Sequence, residues 1–188
     1  YLYIPSITSP FVADIFPGDP ENTNLAYTKG SRRWIAGPQG LPLFKPPYGR
    51  ITAIDMNTGE HVWMVANGDG PIDNPAIAHL NLEKLGVPGR PAPLVTGSLL
   101  FVGEGLTNLR PGGRIPFDMP VEIATNSGGP WFRAYDKQTG ETVWEIELEA
   151  GTTSPPVSYL HDDEQYLLVS IGDRSHSPEM VAFKLNNN

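Results

Sequence analysis

The sequence predicts an all-β protein made of repeated units of four short antiparallel strands. Three observations predict it. First, Ala53-Ile54-Asp55-Met56-Asn57-Thr58-Gly59-Glu60-His61-Val62-Trp63 returns 81 residues later as Ala134-Tyr135-Asp136-Lys137-Gln138-Thr139-Gly140-Glu141-Thr142-Val143-Trp144. The pattern Ala-x-Asp-x-x-Thr-Gly-Glu-x-x-Trp is kept, and a self-similar segment marks a repeat architecture. Second, each copy reads as strand, tight turn, strand. The residues before the Asp suit a pleated, half-buried strand. The Asp carboxylate can hold a turn by accepting backbone amides, and the Gly supplies a positive φ. Third, the chain carries 20 Gly and 20 Pro, which favours short strands and ordered loops over long helices.

Size and charge bound the function classes. At 188 residues the chain can bury a core as one domain or a small repeat array. A net charge of −8 argues against a nucleic-acid surface, which needs a basic stripe. There is no cysteine, so disulfides, thiolate metal sites and cysteine nucleophiles are excluded. No apolar run approaches the length of about 18 residues that spans a bilayer. No signal peptide is visible. The chain opens on Tyr1-Leu2-Tyr3-Ile4, already a strand, so an upstream portion of a longer protein is expected.

The elements follow in order. Residues 1–4 form a short apolar strand. Residues 5–48 are Pro-rich and aromatic without a steady period, and read as an ordered loop. Residues 50–55 and 60–66 are the first strand–turn–strand pair. Residues 67–90 are a second loop, with one helical turn expected within 76–85. Residues 93–96 and 99–102 form a hairpin over Thr96-Gly97-Ser98. Residues 103–130 are a third loop, rich in Gly and Pro. Residues 131–136 and 141–148 are the second copy of the strand pair. Residues 156–159 and 165–171 form a hairpin across Asp162-Asp163-Glu164. Residues 180–185 are a last strand.

Labelled a to d within each unit, the middle unit has all four strands, the first has b, c and d, and the last has a, b and c. Such units are the signature of β-propeller blades. The chain reads as one partial propeller domain over residues 1–188, with blade remnants at about 1–66, 91–148 and 155–185. About three blades cannot close a ring of four to eight. The remaining blades are therefore expected partners, from a larger propeller or from other chains. The a–b and c–d turns stay short, whereas the b–c and d–a connections are long. In an up-and-down sheet those two classes leave from opposite ends, so residues 5–48, 67–90 and 103–130 should decorate one face. Long loops on one rim of a rigid scaffold are where binding usually sits.

Each motif has a bland reading beside the functional one. Trp63 and Trp144 hold matching sites on strand d, and repetition at a fixed position favours packing against a neighbouring blade over a ligand-stacking platform. Asp55-Met56-Asn57-Thr58-Gly59 resembles the start of a calcium loop, but Ala66 stands where its closing glutamate belongs, so a turn is expected. Gly172-Asp173-Arg174-Ser175-His176-Ser177 places an acid, a cation and an imidazole on the loop face: a polar wall of a ligand site, or a solvated loop. Arg90, Glu104, Arg110, Arg114 and Asp118 lie in or beside loops of that face. Singly they read as surface charge; together they read as the rim of a site for an anionic or polyol ligand. No nucleophile–His–acid order and no phosphate-cradling glycine loop is present.

The doubled Ala-x-Asp-x-x-Thr-Gly-Glu-x-x-Trp resembles the tryptophan-docking motif of the quinoprotein dehydrogenases, β-propeller enzymes that use pyrroloquinoline quinone (PQQ). Residues 93–103, 153–159 and 165–172 resemble the same family, the last of them its glucose-dehydrogenase-like, membrane-associated branch. The resemblance implies the C-terminal part of an eight-bladed propeller that oxidises a sugar or alcohol hydroxyl. It implies PQQ contacts from the loop after the final strand b, at Gly172, Asp173 and His176. Thr8 stands where relatives place a quinone-contacting Asn. Arg90, Glu104 and Arg174 would line the substrate rim. Catalytic residues and Ca²⁺ ligands are expected in earlier blades, with no metal ligand here. The resemblance further implies a periplasmic location and a membrane quinone or electron-acceptor protein as partner. Non-catalytic propellers share similar repeats, so a protein-interaction scaffold is the alternative.

Overall fold

A computed structural model of the chain describes residues 1–35, 37–105, 128–173 and 176–184. Arg110, Arg114, Asp118 and Arg174 lie outside the described residues. The strands run β1 (Leu2–Ile7), β2 (Phe11–Pro17), β3 (Tyr27–Trp34), β4 (Gly49–Ile54), β5 (His61–Ala66), β6 (Leu94–Val95), β7 (Leu99–Gly103), β8 (Trp131–Asp136), β9 (Thr142–Glu147), β10 (Val157–His161), β11 (Glu164–Ile171) and β12 (Glu179–Lys184). They form antiparallel sheets in the orders β1-β4-β5, β6-β7-β8-β9 and β10-β11-β12, with β2-β3 as a separate hairpin. The protein is thus all-β, and the three meandering sheets are the blades of a partial propeller.

Register shows how exact the repeat is. Tyr3 pairs with Ala53 and Ala53 with Trp63; 81 residues on, Phe101 pairs with Ala134 and Ala134 with Trp144. Both copies carry a register shift directly after the Ala, where the strand reaches its turn. In each turn the Asp carboxylate accepts backbone amides: Asn57 N–H on Asp55 at 2.8 Å, and Gln138 and Thr139 N–H on Asp136 at 2.8 and 3.0 Å. Those bonds hold the Asp136 carboxyl below its usual range. Gly59 and Gly140 have φ of +77° and +78°, a conformation that favours glycine. The β10–β11 hairpin turns on Asp162 and Asp163, both at positive φ, as a two-residue hairpin loop requires.

The sheets pack face to face, and two apolar clusters fill the two seams. Ile51 of the first sheet meets Leu100, Val102 and Tyr135 of the second, with Tyr3, Trp63 and Val65 beside them. Phe132, Leu148 and Ala150 meet Val169 and Ile171 of the third, with Phe101, Ile146 and Phe183 added. Trp63 lays its indole on Gly140 of the next sheet's turn and donates its N–H to the Lys137 carbonyl at 3.2 Å. Trp144 meets Phe132 and Phe183 edge-on at 6.2 and 5.8 Å.

One expectation needs correction, and a second is met. Residues 5–48 are not all loop. They contain the β2–β3 hairpin and a 3-10 turn at Pro38–Gly40. β2 is exposed on both faces and the pairing shifts register between Ala13 and Ile15, so β2 shows no in–out alternation to read. The helical turn expected within 76–85 is a single 3-10 turn, Ala78–Leu80.

Candidate functional site

The site is built at the end of the sheets from which the long connections leave. Gly49, Asn67, Gly103, Thr152 and Ile171 mark that end and touch in sequence across all three sheets. Asn67 N–H donates to the Gly49 carbonyl at 2.9 Å, and Asn67 Nδ2 donates to the Gly103 carbonyl at 2.9 Å. Gly103 packs on the Thr152 side chain, and Thr152 bridges to Ile171. The described parts of residues 8–48, 67–93, 104–130 and 172–178 therefore start and finish on one side. The short turns lie on the other, where Lys137 N–H donates to the Ser98 carbonyl.

Beneath this loop end runs a buried polar network. Tyr135 donates its hydroxyl proton to Asn67 Oδ1 at 2.9 Å, and both residues are almost fully buried. Burial pushes the Tyr135 phenol up to about 12. Arg133 is 1% exposed and donates Nη1 to Glu104 Oε1 at 2.7 Å and Nε to Glu145 Oε2 at 2.9 Å. Lys84 donates to the same Glu145 oxygen at 3.1 Å. That lysine bond, joined by Arg133, holds the half-exposed Glu145 carboxyl low. Burial pushes the Glu104 carboxyl up, and Arg133 draws it only part of the way back.

Glu104 therefore departs from its expected place. The expectation was a rim charge; the residue is 3% exposed and ion-paired beneath the loops. Its neighbours are Gly68, Gly89 and Gly129, each too close to admit a Cβ without movement. The signal was present but ambiguous. Arg133 sits inside the apolar strand Trp131-Phe132-Arg133-Ala134-Tyr135, and a buried cation needs an acid across the sheet.

The remaining candidates divide into three groups. Arg90 is exposed beside Gly105, whose own backbone crowds the Arg90 carbonyl. Thr8 directly follows the first sheet's β1, and its hydroxyl accepts Arg50 Nη1 at 2.7 Å and faces the Pro47 carbonyl. Gly172, Asp173 and His176 lie together after β11: His176 N–H donates to Asp173 Oδ1 at 2.7 Å, Asp173 N–H to the His176 carbonyl at 3.1 Å, and Gly172 N–H to the Gly151 carbonyl.

Glu149, His176 and Glu179 bring one ligand atom each within 4.8 Å of one another, the only such group among the described residues. The imidazole turns Nε2 to Glu179 at 3.0 Å and Nδ1 to Glu149 at 3.8 Å. Each carboxylate thus faces a different nitrogen, which is ion-pair geometry and not convergence on one cation. For an anionic ligand, Arg50 and Thr8 offer a guanidinium and a hydroxyl on the loop side, whereas the His176 imidazole there already faces the Glu149 and Glu179 carboxylates. A separate open cleft of about 720 Å³ lies at the turn end, lined by Tyr1, Tyr3, Val95, Lys137, Gln138 and Thr139.

Comparison with known proteins agrees with this architecture. The family model for the PQQ glucose/ethanol/alcohol dehydrogenase β-propeller domain matches residues 16–167. Quinoprotein glucose dehydrogenase A of Acinetobacter calcoaceticus is 26% identical over 179 residues, covering 87% of this chain and 20% of that protein. Quinoprotein ethanol dehydrogenase of Pseudomonas putida is 36% identical over 146 residues, covering 78% of this chain and 17% of that protein. Quinate/shikimate dehydrogenase (quinone) of Acinetobacter baylyi is 29% identical, covering 74% of this chain and 15% of that protein. Among solved structures, a quinohemoprotein alcohol dehydrogenase of Pseudomonas putida HK5 superposes with a TM-score of 0.51 at 19% identity, covering 90% of this chain and 20% of that one; it bears on the fold alone. The chain spans at most about a fifth of the length of these relatives.

Proposed function

The chain belongs to the PQQ glucose/ethanol/alcohol dehydrogenase β-propeller family, and on that premise we propose that it is part of a quinone-cofactor dehydrogenase oxidising a sugar or alcohol hydroxyl. The observation that supports this most is the coincidence of two facts. The family match includes strands of all three sheets, and those sheets send their long connections to one side, where a ligand can be enclosed.

In this reading the residues have separate tasks. Arg50 holds Thr8 and presents positive charge beside it. The Asp173–His176 turn, closed by one backbone bond and one from the His176 N–H to the Asp173 carboxylate, fixes the imidazole at the loop side, and Gly172 lets the chain pass close to Pro178. Arg90 and Arg174 serve as a cationic rim for a polyol. Glu104 acts on that rim only from below, by holding Arg133 and the base of the 104–130 connection. When bound, the quinone supplies a two-electron acceptor, and Ca²⁺ held by residues outside this chain supplies a Lewis acid. Electrons then pass to a membrane quinone or an acceptor protein, and the protein works in the periplasm.

Reconstitution tests the reading. The polypeptide at its full encoded length, given PQQ and Ca²⁺, should reduce a redox dye with sugars or alcohols. Tryptophan quenching should report saturable quinone binding, weakened about tenfold by His176→Ala or Asp173→Ala. A protein that neither binds the quinone nor oxidises any polyol or alcohol refutes it.

A further inference from the structure

Asn67-Gly68 is the one Asn-Gly pair in the sequence, and the fold demands each half of it for a separate reason. Asn67 is 1% exposed, and each of its four polar atoms is bonded. Its N–H donates to the Gly49 carbonyl at 2.9 Å, and its carbonyl accepts the Val87 N–H at 2.8 Å. Its Nδ2 donates to the Gly103 carbonyl and its Oδ1 accepts the Tyr135 hydroxyl, both at 2.9 Å. Only a side-chain amide of this length supplies that donor and that acceptor from one carbon. Gly68 has a φ of +93°, and a Cβ there would lie 2.6 Å from Val87 Cγ2 and 2.7 Å from Glu104 Oε1. Any other residue at 68 is both strained and crowded.

Two packing requirements thus set a chemically labile pair in the seam between the first two sheets. Asparagine is a thermolabile residue, and a following glycine, having no Cβ, leaves its own nitrogen unshielded. The Gly68 nitrogen attacks Asn67 Cγ. An N–Cγ bond forms, the Cγ–Nδ2 bond breaks, and ammonia leaves with the Gly68 amide proton. Water then opens the five-membered imide at either carbonyl and leaves aspartate or isoaspartate at 67. In the folded chain this route is obstructed. Gly103 holds the departing Nδ2, and the Gly86 N–H pins the Gly68 carbonyl at 2.9 Å. Both residues are buried, so the water that must take the proton and open the ring is kept out. The product does not fit the place it came from. A carboxylate at 67 would face the Gly103 carbonyl with no proton to give, at a buried position. Isoaspartate would lengthen the backbone between the two carbonyls that accept the Gly86 and Val87 amides.

We propose that Asn67-Gly68 is a modification site masked by the seam: it deamidates through the cyclic imide only when the seam opens, and the reaction makes that opening irreversible. The site is independent of whether the loop side takes a quinone.

The test follows the amide-to-acid mass change at each asparagine by peptide mapping. The polypeptide at its full encoded length is held at mildly alkaline pH, folded or in guanidinium chloride. In denaturant Asn67 should react ahead of every other asparagine of residues 1–188. In the folded protein it should react roughly 100-fold more slowly, because only the opened fraction reacts. Tyr135→Phe removes one of the two side-chain bonds. It should raise the folded-state rate about tenfold and leave the rate in denaturant unchanged. Wild-type chains that have reacted at 67 should not regain the wild-type Tm when denaturant is removed, and Asn67→Asp should show the same loss. Equal rates at 67 in the folded and denatured protein overturn the proposal, since the seam then masks nothing. So does another asparagine of residues 1–188 reacting first in denaturant, or a Tyr135→Phe protein with the wild-type folded rate. Reacted chains that refold to the wild-type Tm overturn it as well.

Discussion

Asn67 is the side chain on which the seam between the first two sheets turns, and removing it should be costly out of proportion to its size. It is 1% exposed, donates Nδ2 to the Gly103 carbonyl, and accepts the Tyr135 hydroxyl. Asn67→Ala leaves both of those groups buried without a partner. Each such group costs about 1–3 kcal/mol, so the variant should lose about 2–6 kcal/mol. Tyr135→Phe should cost less, about 1–3 kcal/mol, because it strands only Asn67 Oδ1. The double variant should cost clearly less than the two singles together, since the stranded partner of one is the group deleted by the other. Urea unfolding followed by near-UV circular dichroism reads all three, with m unchanged. There is a pH signature as well. The folded Tyr135 pKa lies above its unfolded value of 10.0, at about 12, chiefly because burial opposes the phenolate. Its contribution is therefore fully present below pH 10 and is lost as pH rises toward 12. The loss amounts to about 2–3 kcal/mol for a shift of that size, and it should vanish in Tyr135→Phe. Additive single variants, or an Asn67→Ala protein within about 0.5 kcal/mol of wild type, would refute the reasoning.

Three further outcomes follow from the same contacts. Glu104→Ala strands Arg133 with only the half-exposed Glu145 and should cost about 3–5 kcal/mol in urea unfolding, whereas Glu104→Gln, which still accepts the Arg133 bond, should cost less. Trp63→Ala should destabilise more than Trp144→Ala, because Trp63 combines a capped glycine with a bonded N–H, which Trp144 does not among the described residues; equal losses by differential scanning calorimetry would count against the packing described. Gly49→Ala should cost about 1–3 kcal/mol or more, since its Cβ would fall 1.9 Å from the Val87 carbonyl oxygen, while Gly97→Ala, with nothing within 4 Å, should leave Tm unchanged or slightly raised.

What the sequence made legible was periodic and local. The Asp-x-x-Thr-Gly turn needs only its own carboxylate and a positive-φ glycine, so both copies could be read without any partner. β8 falls where it was expected, and the other blade strands fall within a few residues. What it hid was long-range or unpatterned. Glu104 looked like surface charge because its partner Arg133 is distant in sequence and becomes a neighbour only when β7 pairs with β8. Asn67 looked like a loop residue after strand d, and nothing local says that its amide reaches Gly103. β2 lacks a buried face, so alternation there carried no signal. Loop lengths did indicate which end of the sheets gathers the connections, because antiparallel order fixes that without side chains.

The central claim is that the loop end of these sheets is one wall of a quinone site. Hydrogen exchange on the full-length polypeptide, with and without PQQ, tests it directly. Slower exchange should appear at Thr8, Asp173 and His176, with Lys137 to Gly140 at the opposite end unchanged. Slowing confined to the turn end, or none anywhere despite saturating quinone, would contradict it.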